Sequence, residues 1–120
     1  MPKSSITIYH NPRCGKSRSA LALLEEKGVQ PHIIEYLKTP PTKGELHSIV
    51  KKLGIKPEQI VRKGEEIYKQ KFVGKVLTDE QWLDALTKNP ILIERPIVVK
   101  GETAVIGRPP ENVLKLLTAP

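Results

Sequence analysis

An α/β fold, ordered βαβ, then helices, then ββα, is predicted by three features of the sequence. An alternating, isoleucine-bearing run from Ser5 to His10 is followed by a helical pattern and a second apolar run, His32 to Leu37, the signature of a parallel pair joined by a crossover helix. The middle of the chain, about residues 42–90, carries helix starts and stops but no strand pattern. The closing segment reads as a hairpin followed by a helix. With 120 residues the chain can build one core and is too short for two. The expectation is one domain over 1–120 with the helical stretch as an insertion.

Each element has its own local reason. Asn11 and Pro12 end the first strand. From Ser17 to Lys27 the apolar residues Ala20, Leu21, Leu23 and Leu24 recur at helical spacing, and Gly28 terminates the run. Thr42 caps a helix bearing Leu46, Ile49, Val50 and Leu53, stopped at Gly54. Pro57 opens a short helix through Ile60 and Val61. Residues 63–75 are polar and punctuated by glycine, a loop with short turns. Thr78 with Gln81 forms a capping box for a helix whose apolar face is Trp82, Leu83 and Leu86. Arg95 to Gly107 contains two short strands about a Gly101-Glu102 turn. Pro110 begins the last helix.

Composition narrows the function classes. Lys and Arg number 20 against 13 Asp and Glu, for a formal charge of +7. The lysines are scattered, and one Trp, three Tyr and one Phe supply a poor base-stacking platform. A small anion or an acidic partner therefore ranks ahead of nucleic acid. The single cysteine, Cys14, excludes an internal disulfide framework and favours a reducing compartment. No apolar stretch resembles a signal peptide or a membrane span, so a cytoplasmic location is expected, without a membrane partner.

Cys14 stands where the first strand gives way to the first helix, in "HNPRCGKSR". Unpaired N–H groups and the helix dipole at such a point favour an anion, and a thiolate is one. Arg13, Lys16 and Arg18 add positive charge in sequence. The stretch is not a P-loop, because His10 stands where the first glycine is required. It is not a tyrosine-phosphatase loop either, because Ala20 occupies the arginine position. Cys14-Gly15-Lys16-Ser17 has the spacing of a redox C-x-x-C but ends in serine. A second local sulfur is missing, so an outside thiol must release any product bound to Cys14.

The segments "ITIYHNPRCGKSR", "PPTKGEL", "ILIERPIVV" and "IGRPPENVL" resemble, in order and spacing, the glutaredoxin-coupled arsenate reductase family. The resemblance implies a thioredoxin-like fold with an inserted helical region and Cys14 as the catalytic nucleophile. It implies that His10 and Ser17 tune the thiolate and that Arg62, Arg95 and Arg108 bind the arsenic oxyanion and its intermediates. Pro96 matches the cis-proline that faces the active cysteine. Glutathione enters as co-substrate and glutaredoxin as partner, with no bound cofactor and no metal. Taken singly, each arginine is a solvated surface residue and His10 a strand-end packing residue; the family pattern promotes them together.

Two other readings stay open on sequence grounds. Spx-like regulators share this fold and bind RNA polymerase, and many carry C-x-x-C as a redox switch, which Ser17 interrupts here. A glutathione-dependent thiol transferase would need the same Cys14 and less of the arginine set.

Overall fold

The computed structural model describes residues 6–118. Ser5, assigned to the first strand from sequence, lies outside them. The chain divides into two compact units, one formed by the segments up to Thr39 and from Arg95 onward, the other by Pro40–Glu94.

The first unit contains β1 (Ile6–His10), α1 (Gly15–Glu26), β2 (His32–Glu35), β3 (Ile97–Lys100), β4 (Thr103–Ile106) and α5 (Leu114–Thr118), the last preceded by a 3₁₀ turn at Pro110–Val113. The sheet order is β2-β1-β3-β4. β1 is parallel to β2, with Ile8 opposite Ile33, and antiparallel to β3, with Ile8 opposite Val98. β3 and β4 form the expected hairpin, Val98 opposite Val105. β1 buries Ile6, Ile8 and His10 in alternation, the period-two pattern of a strand. Ile6, Ile8 and Val98 pack with Ala20 and Leu24 of α1 and with Val113 and Leu116 near the C-terminus. This core fixes the C-terminal end of β1 beside the first turn of α1, where Cys14 sits. β2 ends at Glu35, short of the expected Leu37. Lys38 and Thr39 both donate to the Glu35 carbonyl, so the chain turns there and Tyr36 is left buried outside the strand.

The second unit holds α2 (Lys43–Leu53), α3 (Glu66–Lys71) and α4 (Asp79–Lys88). Thr42 and Thr78 each make the full capping box, with Glu45 and Gln81 respectively. α2 ends on Gly54 at φ 73°, a left-handed backbone that glycine adopts without a Cβ clash. Trp82 is buried, its ring stacked on Tyr68 at 6.4 Å and tilted against Phe72 at 5.8 Å. Val61, expected at the end of a short helix, instead bridges Ile93. α3 replaces part of the loop expected over 63–75. Its start lacks a side-chain cap and it buries no residue, so neither of the usual sequence signals marks it.

Gly107 fits the first unit tightly. Its N–H donates to the Pro96 carbonyl at 2.8 Å. A methyl group there would lie 2.9 Å from Pro96 Cγ and 3.3 Å from both Ala20 Cβ and Val113 Cγ1. Three groups on different segments would have to retreat at once. Gly107→Ala is expected to cost about 1–3 kcal/mol, as overpacking does, read as a lowered melting temperature. An unchanged melting temperature would show that the Pro96 loop yields freely.

Candidate active site at Cys14

Cys14 is the N-cap residue of α1, with extended backbone at φ −96° and ψ 122°. Its carbonyl already accepts the Arg18 N–H at 3.0 Å, and its own N–H closes a turn on the Asn11 carbonyl at 2.9 Å. The side chain is partly exposed, as a nucleophile must be. Burial works against ionisation of the thiol. The Ser17 backbone N–H, a hydrogen bond from the Arg95 side chain, the Lys16 backbone N–H and the Arg95 charge outweigh it and hold the thiol below its ordinary range. The acidifying groups are thus the helix N-terminus and one arginine distant in sequence. Arg13 and Arg18, the cations expected to help, are exposed. Arg18 instead donates from Nη1 to the Pro12 carbonyl at 3.1 Å and steadies the loop.

Behind the loop lie three buried polar residues, His10, Asn11 and Ser17. His10 Nδ1 is 2.6 Å from Ser17 Oγ, which also accepts the Asn11 N–H at 3.0 Å. Asn11 Oδ1 accepts the Arg13 N–H at 3.0 Å. His10 and Ser17 are therefore joined to each other and to the loop backbone. Ser17 meets the sulfur through its backbone N–H, while its hydroxyl engages His10 and the Asn11 N–H. Burial lowers the His10 pKa, Glu35 raises it and Arg18 lowers it again, with a net shift downward. The downward shift favours the neutral ring, whose tautomer sets which of Nδ1 and Ser17 Oγ donates.

This shift has a definite sign for stability. When folded His10 titrates below its unfolded value, the unfolded chain takes up the proton first as pH falls. Stability is then flat above the ordinary histidine range and declines as pH drops from about 6.5 toward the folded value. His10→Gln is expected to flatten this decline between about pH 7 and pH 5, measured as melting temperature against pH. A slope equal to the parent's would assign the acid sensitivity to other groups.

Arg95 follows directly on the second unit and leads into β3. The Arg95–Pro96 and Arg108–Pro109 peptide bonds are both cis. The Arg95 Nε and Nη1 atoms are buried. Burial disfavours the Arg95 charge, but its hydrogen bonds to Cys14 and to Tyr36 and their charges hold it more firmly protonated than usual. Tyr36 is 1 % exposed. The sequence places it in the apolar run of β2, and nothing in that context marks a role for it. Arg108 donates from Nη1 to the Arg95 carbonyl at 3.2 Å, so it stands one residue's backbone away from the guanidinium that meets the sulfur. Arg62 belongs to the second unit. There its Nε donates to Glu65 at 3.1 Å and its Nη1 to Glu94 at 2.8 Å.

The first unit thus brings together Cys14, Arg95 and Arg108, with His10 and Ser17 beneath the loop. A low-pKa thiol beside a helix N-terminus and a guanidinium can attack an electrophile and hold the anionic product. Asn11 was missed as a site residue, although asparagine before a proline at a strand end is turn chemistry of this kind. Among the described residues no helix is long and apolar enough to cross a membrane.

The chain is similar to known proteins along nearly its whole length. The chain is 49 % identical over 115 residues to an arsenate reductase of Haemophilus influenzae, covering 94 % of this chain and 99 % of that protein. It is 43 % identical to an arsenate reductase of Escherichia coli, covering 95 % and 82 %. The solved structure of an arsenate reductase from Vibrio cholerae superposes with a TM-score of 0.91 at 45 % identity, covering 95 % of this chain and 98 % of that one. The four-stranded mixed sheet with its helices is the thioredoxin-like fold of those structures. The ArsC family model matches residues 9–116, and the chain belongs to the ArsC family.

Proposed function

We propose that the protein is a cytoplasmic arsenate reductase that draws its electrons from glutathione and glutaredoxin. The observation that carries this reading is the hydrogen bond between Arg95 and Cys14 at the N-terminus of α1. It joins an activated thiol to a cation with the planar donor fork that suits oxyanions.

In the first step the Cys14 thiolate attacks the arsenic of arsenate. A sulfur–arsenic bond forms and one oxygen leaves as water. Arg95 and Arg108 hold the remaining oxygens and offset the charge that builds on them. A glutathione thiolate then attacks Cys14 Sγ. The sulfur–arsenic electron pair passes to arsenic, which falls from pentavalent to trivalent and departs as arsenite. A Cys14–glutathione disulfide remains. A glutaredoxin thiol accepts the glutathione moiety and restores Cys14. The single cysteine in the chain is what makes the outside thiols necessary.

The test is reduction of arsenate by the purified protein with glutathione, with and without glutaredoxin, followed as arsenite. Turnover that requires glutathione and accelerates with glutaredoxin is expected. If arsenate stays intact while a Cys14–glutathione disulfide still exchanges with glutaredoxin, the protein is a thiol transferase and the arsenate assignment is wrong.

A further inference from the structure

We propose that Asn112 is a positioning residue for both arginines of the first unit: its side-chain amide clamps the turn that carries Arg108, and Arg108 in turn holds the backbone from which Arg95 reaches Cys14. The inference rests on the oxyanion role assigned above to Arg95 and Arg108.

The geometry is a short relay. Asn112 Nδ2 lies 3.2 Å from the Ile106 carbonyl and 3.0 Å from the Arg108 carbonyl, so both amide protons have an acceptor. The Arg108 N–H also donates to the Ile106 carbonyl, at 2.9 Å. The three residues from Ile106 to Arg108 are therefore closed from inside by the backbone and from outside by Asn112. The middle residue, Gly107, is tied to the Pro96 carbonyl. From this turn the Arg108 side chain reaches back to the Arg95 carbonyl at 3.2 Å, and the Arg95 side chain goes on to Cys14. Asn112 is itself well anchored. Its N–H donates to the Pro109 carbonyl at 3.0 Å, and its neighbour Val113 is fully buried in the core.

Without its two donors the turn loses its outer tie, and Arg108 is free to swing as a long side chain on a loose base. An arginine fork discriminates by geometry as well as charge, so a small loss of order at its root weakens anion binding and relaxes Arg95. The Asn112 amide donates to the Ile106 and Arg108 carbonyls, and on this proposal its effect on the thiol passes through Arg108. That requirement makes the proposal testable.

Asn112→Leu keeps the size and removes the donors; Asn112→Gln keeps the amide on a longer stem. Two readouts are used, the pH midpoint of Cys14 alkylation by iodoacetamide and the arsenate concentration that half-protects Cys14 from alkylation. Asn112→Leu is expected to raise the midpoint and to raise the protecting concentration about fivefold, the scale of one net hydrogen bond. Asn112→Gln should recover part of both. In an Arg108→Ala background, Asn112→Leu should add nothing. Parent values for Asn112→Leu, or the same loss with and without Arg108, would overturn the proposal. Should Asn112→Leu fail to fold, Asn112→Ser is measured by the same criteria. The alkylation midpoint needs no arsenate turnover. A shifted midpoint in a protein that does not reduce arsenate would therefore refute the arsenate assignment and leave the relay standing.

Discussion

Cys14→Ser is expected to abolish arsenate reduction, by at least ~10³-fold as removal of a nucleophile does, while leaving the fold intact. The chain contains no other cysteine, so no neighbouring thiol can substitute. The donors that would stabilise a thiolate, the Lys16 and Ser17 amides and Arg95, all survive the exchange. A serine hydroxyl simply stays protonated at neutral pH and does not use them. The thiol's depressed pKa also predicts the stability difference. A group that ionises more readily in the folded chain contributes stability above its unfolded value, near 9.0. That contribution is lost as pH falls through the lower folded value. Parent and Cys14→Ser should melt alike in mild acid, and the parent should gain on the variant as pH rises toward 9. Thermal melts across that range, run beside the arsenite assay, check both halves. Residual turnover in Cys14→Ser, or a stability gap that widens toward acid, would remove the thiolate from the mechanism.

The parts of the fold that could be seen in the sequence are those with redundant local signals. Thr42 with Glu45 and Thr78 with Gln81 announce helices because a capping box satisfies two backbone donors at once. The β3–β4 hairpin is visible because the Gly101-Glu102 turn separates two β-branched runs. α3 is not, because a helix that buries no side chain leaves no apolar stripe to find. β2 is overrun by two residues for a related reason. Tyr36 and Leu37 continue the apolar run, while the turn that ends the strand is set by backbone donors to Glu35.

The site divides in the same way. Cys14 is conspicuous because proline, glycine and the strand-to-helix switch all surround it. What lowers its pKa was misplaced, because adjacency in sequence favoured Arg13, Lys16 and Arg18. On a helix start, side-chain charges point outward while the amides converge on the cap, and the sheet brings in Arg95 from the far end of the chain. Arg95 and Arg108 became candidates only through resemblance, since pairing of β1 with β3 is a long-range event that no local pattern encodes. Tyr36 shows only as part of an apolar run and Asn112 only as one letter of "IGRPPENVL", and neither context marks a role. Their roles exist only through the partners that folding supplies.

Arg95→Ala is expected to lower arsenate turnover about a hundredfold, equivalent to roughly 3 kcal/mol of barrier for a lost charge-stabilising donor, and to raise the Cys14 pKa toward its ordinary value. Two effects combine here because one guanidinium serves both the sulfur and the anion. Arg108 differs from Arg95 in that it donates to the Arg95 carbonyl. Arg108→Ala should weaken arsenate protection of Cys14 with a much smaller change in thiol acidity. Arg95→Ala therefore reads activation of the nucleophile directly, while Arg108→Ala reads it only through the Arg95 backbone. Arg95→Lys sharpens the distinction. A lysine keeps the charge but loses the fork and its rigid spacing. If charge governs the thiol, Arg95→Lys restores a low Cys14 pKa. If geometry governs the anion, turnover in Arg95→Lys stays low even so. The measurements are the pH profile of alkylation and arsenite formation at saturating glutathione. Arg95→Ala with parental turnover and a parental alkylation profile would show that the hydrogen bond to Cys14 has no chemical consequence, and the thiol's acidity would then rest on the α1 amides alone.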